Sequence, residues 1–286
     1  MFATDNGISR NKVFLLFATV FLLAYSPAYL THYAYTDDWT NLYWANFDRL
    51  SILNWDTLSG RPVYGIIQYS ASFLVGSVER LALLRSVSIV LLIFTGYYIY
   101  TLCQKMALLE SQAQRITFSL LLCLLPSFQV YIAWASCFPY IAAILLAGTS
   151  YRFSIKTGMT SRLIAFCLLT LAFCLYQPAA MTFTFFAALD LCFSERKVDT
   201  KRAVISLMVL GAGMFAALIA SKVLPVQLYG HTLPRSAFSY DIPVKLKWFF
   251  TEYLKNVICN FDLGAKTVSV IISSIIIGFG LKKIKA

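Results

Sequence analysis

Charge is scarce in this chain. Of its 286 residues, 13% are charged and 59% hydrophobic, and the mean hydropathy is +0.71. A soluble domain carries about a quarter charged residues. One aqueous core cannot hide so much apolar surface, so lipid is the expected solvent. Ionisable residues are nearly missing from the apolar runs themselves; Asp190 and Lys222 stand near run ends. That argues against ion-coupled transport, which wants such groups near the midplane. The seven cysteines form no CxxC and no Cys/His ligand cluster. Cys103, Cys123, Cys167, Cys174 and Cys192 fall in or beside apolar runs, where a thiol is a small hydrophobe. Cys137 and Cys259 fall in segments read below as external, which leaves a disulfide between them open. There is no tandem repeat, low-complexity tract, long polar linker or dense carboxylate cluster. Residues 1–286 therefore read as one membrane domain.

What is present is a set of apolar runs separated by basic loops. The runs are Val13–Leu30, Leu84–Cys103, Ile116–Trp134, Phe138–Tyr151, Leu163–Tyr176, Pro178–Phe193, Ala203–Leu224 and Val268–Leu281. Several are shorter than the ~20 residues a straight span wants. Gln177-Pro178 divides the stretch 163–193, because proline lacks a helix donor. The first run, behind Arg10 and Lys12, is long for a signal core and reads as an uncleaved span. The net charge of +11 is spread among loops, which reads as positive-inside topology and not as nucleic-acid binding. Pro62–Val78 is too polar for a comfortable span. Laying it along the membrane surface puts Arg10/Lys12, Lys105/Arg115, Arg152/Lys156/Arg162, Arg196–Arg202 and Lys282–Lys285 on one side. The expectation is an all-α polytopic bundle of about eight spans with both termini cytoplasmic. Its long outer loops are 31–81 and 225–267, with Trp44, Trp55 and Trp248 as interface anchors.

Three features of the outer side invite chemistry. The first is the pair Asp37-Asp38, directly after the first span. Acids beside a membrane are costly, so they mark a candidate site. They can cap a helix opening near Trp39, hold Mg²⁺ or Mn²⁺, or act as a general base. The second is Ser59-Gly60-Arg61-Pro62. It is a turn by composition, and Arg61, near Tyr64, has the planar fork that matches phosphate. Arg80 and Arg85 open the next span and either help or snorkel. The third is Tyr176-Gln177-Pro178, a helix-breaking turn whose phenol and amide suit sugar hydroxyls. Arg235, in the loop with His231, Tyr240 and Asp241, is a further candidate anion contact.

Tyr35–Trp39, Gly60–Gln68 and Leu175–Pro178 together resemble the Gtr-type O-antigen glucosyltransferases of bacteria and their phages. They are also consistent with the wider GT-C class of multi-span glycosyltransferases. The resemblance implies a GT-C-like fold with juxtamembrane helices in the first outer loop. It implies a catalytic aspartate there, Asp37 or Asp38, with Arg61, Tyr64, Tyr176, Gln177 and Arg235 binding substrate. The implied donor is a polyprenyl-phosphate sugar, glucose by family, and the acceptor a lipid-linked glycan at the periplasmic face of a bacterial inner membrane. No metal ligand set is assigned, though a divalent cation stays open. Such members often carry an extra C-terminal part; a chain ending at Lys285-Ala286 is expected to be a compact or truncated member. Two rival readings act on similar lipids: a flippase or transporter of lipid-linked sugars, and an O-antigen polymerase.

Overall fold

The computed structural model describes residues 8–106, 109–193, 200–231, 233, 241–258, 267–272 and 274–275. Regular structure among the described residues is helical throughout. The chain divides into two compact units, Met1–Ser236 and Ala237–Ala286.

The first unit opens with α1 (Arg10–Ala24) and α2 (Ser26–Leu30), then three short helices, α3 (Thr36–Phe47), α4 (Arg49–Leu58) and α5 (Pro62–Ala71). Next come α6 (Leu81–Lys105), α7 (Gln112–Cys123) and α8 (Pro126–Ala133), then a 3-10 turn, Ala135–Cys137. It closes with α9 (Phe138–Ser154), α10 (Met159–Leu175), α11 (Gln177–Ala180), α12 (Thr182–Phe193) and α13 (Thr200–Tyr229).

Proline explains where the apolar runs are cut. Pro27, Pro62, Pro126, Pro139 and Pro178 each sit in the first turn of a helix. A missing N–H costs nothing there, whereas mid-helix it breaks the ladder. The run 13–30 is thus split at Tyr25, and 116–134 becomes α7 and α8, bent by 55°. Among the described residues, α6 and α13 are long and apolar enough to cross a membrane, and α7–α8 makes a third if the bent pair is one span. Length and composition therefore support two or three crossings, where hydropathy alone suggests about eight. The ten-residue α5 is about 15 Å long by helical rise, half the ~30 Å of a hydrocarbon core. By itself it cannot cross.

Packing follows side-chain spacing. Val13, Phe17 and Phe21 recur every fourth residue, share one face of α1, and are fully buried. They meet α6 at Gly96, where a Cβ would lie 2.9 Å from both phenyl rings. At the α7–α8 break, carbonyls lose their helical donors, and side chains replace them. The Tyr25 hydroxyl donates to the Cys123 carbonyl at 2.8 Å, and the Gln129 amide donates to the Leu124 carbonyl at 3.0 Å. In an apolar medium such groups need internal partners. Helix α13 runs on past Leu224 through a buried Pro225. Tertiary contact overrides the breaker: the Tyr229 hydroxyl donates to Asn54 of α4 at 2.8 Å.

Helices α6 and α9 each run from one polar end of this unit to the other. Arg10, Lys105 and Arg152, all assigned inside by charge, gather at one end. At the other, α3–α5 lie over the turn Ala135–Cys137. In the second unit, Asp241 caps α14 (Ile242–Trp248) by accepting from the Val244 N–H at 3.4 Å. A π-helical turn (Phe249–Tyr253) and α15 (Leu254–Ile258) follow.

Candidate functional site

The aspartate pair falls inside a helix and not ahead of it. Tyr35 is the N-cap of α3, so Asp37 and Asp38 occupy its first turn, where acids complement the helix dipole. Adjacent residues on a helix point about 100° apart, and here that separates their fates. Asp38 is 1% exposed, while Asp37 faces solvent.

Asp38 is saturated. Its Oδ1 accepts from the Ser136 N–H at 2.9 Å, and Oδ2 accepts from the Tyr35 N–H at 3.2 Å and the Ala135 N–H at 3.4 Å. Oδ2 also lies 3.6 Å from Arg85 Nη2, with both side chains wholly buried. Arg85 does not snorkel. It donates to the carbonyls of Ala133 (2.9 Å) and Tyr33 (2.6 Å), and its guanidinium sits 3.6 Å over the Tyr33 ring. The exposed Arg80 takes no part. Asp38 therefore caps its own helix and ties α3 to the 3-10 turn and to α6.

That turn is the hub. Its amides serve Asp38, while its Ser136 carbonyl accepts from the Tyr64 hydroxyl at 2.9 Å and from the Gln68 amide. Burial first, then neighbouring Tyr140 and Asp56, holds the Tyr64 hydroxyl well above its usual range, so it remains a donor. The buried Cys137 is a free thiol. Burial, then the charges of Asp38 and Asp37, pushes it up to about 12. The disulfide partner proposed for it, Cys259, lies outside the described residues.

Arg61 caps the start of α5 beside Gly60, whose φ of +82° suits glycine alone. Its guanidinium donates to the Tyr140 hydroxyl at 3.0 Å, lies 3.5 Å from Asp56 and stands 4.9 Å over the Tyr64 ring. The Arg61 side chain keeps 18% exposure. Tyr176 stacks on Tyr140, with ring centroids 3.7 Å apart and planes within 6°. Tyr131 meets both rings edge-on. The Gly60 carbonyl accepts from the Gln177 amide at 3.2 Å and from the Ser221 hydroxyl of α13 at 2.7 Å.

The fold thus gathers Asp38, Arg61, Tyr64, Tyr176 and Gln177 around one turn, with Asp37 on its exposed rim. Arg235 lies outside the described residues. Sequence reasoning passed over Asp56, Ser136 and Tyr140, and left Arg85 undecided. Asp56 stands only five positions before Arg61, so a charge of opposite sign near the Gly-Arg-Pro turn was the available signal. The others are reached across long sequence separations and carry none.

Chemically, the rim offers one uncommitted carboxylate, a partly exposed guanidinium and a stacked aromatic face. Among the described residues no group of three or more His, Cys, Asp or Glu is placed to hold a metal. With both Asp38 oxygens committed to amides and Arg85, the aspartate pair does not fit a two-carboxylate metal chelate. No family model, curated protein or solved structure matches this chain.

Proposed function

We propose that the chain is a GT-C-like membrane glycosyltransferase. It moves a sugar, glucose by the resemblance, from a polyprenyl-phosphate donor to a lipid-linked glycan such as O-antigen. One observation carries the reading: segments at 37–38, 60–64 and 176–177, remote in sequence, meet around the turn Ala135–Cys137. In this reading the chain makes about eight crossings of a bacterial inner membrane with both termini cytoplasmic. The rim then faces the periplasm.

The acceptor hydroxyl attacks the anomeric carbon. A new carbon–oxygen bond forms as the bond to the phosphate oxygen breaks, and polyprenyl phosphate leaves with the electron pair. Asp37 takes the hydroxyl proton. Arg61, held by Asp56 and Tyr140, stabilises charge growing on the phosphate, the contribution that usually dominates such steps. Tyr176, braced by Tyr140, gives the sugar a flat face, and Gln177 lies at its edge. No step runs through a metal.

Transfer by purified protein, offered a panel of polyprenyl-phosphate sugars and glycan acceptors, tests the reading. One donor should be consumed and its sugar found on a glycan. Donor binding with no transfer from any member of the panel would hand the chain to the transporter or polymerase reading.

Two further outcomes are expected. Arg61→Lys keeps the charge but loses the fork, so it should lower donor use by about tenfold while the protein melts normally. A silent Arg61→Lys with a harmful Pro62→Ala would reduce Arg61 to a turn former. For topology, Ser70 and Glu110 are both exposed. A cysteine at position 70 should react with an impermeant reagent from outside, and one at position 110 should not. The reverse pattern would invert the membrane orientation.

A further inference from the structure

At the end of the bundle opposite the rim, α1, α6 and α9 line an open cavity of about 390 Å³. That is many times the room one water needs and within the range of ligand pockets. Each helix contributes one cation to its lining: Arg10, Lys105 and Arg152. Gln104 adds a neutral amide, and Tyr97 and Tyr98 form an aromatic wall.

Among the described residues none of these three cations has a carboxylate or hydrogen-bond acceptor. The charges of Arg152, Arg10 and Lys156 all act on Lys105. At the opposite end the buried Arg85 has Asp38 and the half-buried Arg61 has Asp56. The nearby Asp190 is engaged by the Tyr151 hydroxyl instead. Positive-inside topology explains cations at this end. It does not explain three of them, from three helices, converging on one hollow with no counter-charge among the described residues.

We propose that this cavity binds a phosphate-bearing anion, its charge shared by Arg10, Lys105 and Arg152. The arginine forks suit phosphate oxygens, and Lys105 adds a point charge. The aromatic wall suits the less polar part of a phosphate ester. Basic pockets between membrane helices on the cytoplasmic side commonly take acidic lipid headgroups, and a soluble phosphate ester shares the same chemistry. The site does not depend on the glycosyltransferase reading.

The test uses purified full-length protein in neutral detergent and two probes, dihexanoyl phosphatidylglycerol and inorganic phosphate. Native mass spectrometry counts retained lipid, and equilibrium dialysis counts phosphate. Saturable uptake of one anion per chain is expected. Lipid uptake alone assigns the site to a headgroup; uptake of both, in competition, assigns it to phosphate esters at large; either supports the site. Lys105→Gln and Arg152→Gln should each weaken uptake about fivefold, on the order of one surface cation's contribution. Lys12→Gln makes the same charge change at the same end but outside the lining, and should stay within about twofold. Equal losses in all three variants would mean a diffuse positive surface and overturn the site, as would no saturable uptake of either probe.

Discussion

Arg85→Met is expected to destabilise the protein by about 3–5 kcal/mol, the usual result of stripping one partner from a buried pair. The change leaves Asp38 charged and sealed from solvent, with two carbonyls short of a donor. Asp38→Asn should be damaging from the other side, because Arg85 then stays buried without its counter-charge. The double variant Arg85→Met/Asp38→Asn should recover part of the loss, since the two residues share one network. Thermal melts in detergent, read by near-UV circular dichroism, check this. If Arg85→Met melts with the parent, the pair does not hold α3 to the turn.

The second large effect is kinetic and falls on the neighbour. Asp37→Asn should fold and melt like the parent, because Asp37 is exposed. Transfer should nevertheless drop by ~10²-fold or more, the scale of a lost general base. The contrast between positions 37 and 38 is the informative part. One position is expected to fail in rate with stability kept, the other to fail in stability first.

Sequence and structure meet unevenly. The structure breaks the runs 13–30 and 116–134 at Pro27 and Pro126, although each reads in the sequence as one span. The break at Pro178 was legible, because a proline between two apolar runs removes a helix donor locally. So was the gathering of Arg10, Lys105 and Arg152 at one end, because charge sorting reads the loops alone. The opening of α3 was placed near Trp39 and lies at Thr36; Tyr35 is a poor capping residue by type, and Asp38 does the capping work by accepting from the Tyr35 N–H at 3.2 Å, while the Ser136 N–H holds the same carboxylate in place. Helix length was legible only as run length. The bend at Leu124-Leu125 and the continuation of α13 through Pro225 both depend on partners far away, Tyr25 reaching Cys123 and Asn54 accepting from Tyr229.

For the site, the sequence supplied short motifs and no reason for them to touch. Asp38 meets Arg85 and Ser136, and Arg61 meets Tyr140, across 47, 98 and 79 positions. No local periodicity encodes such pairs. The split between the two aspartates also needed the structure. Helical rotation says that one of two adjacent side chains turns inward, but only the position of the turn Ala135–Cys137 says which.

The most direct measurement is sugar transfer from a defined polyprenyl-phosphate donor by purified, folded Asp37→Asn protein, beside the parent and Arg61→Lys. Measurable transfer by the parent is expected, with about a tenfold loss in Arg61→Lys and a loss of ~10²-fold or more in Asp37→Asn. Full transfer by Asp37→Asn, with its melt unchanged, would contradict the assignment of Asp37 as the base on the rim of this site.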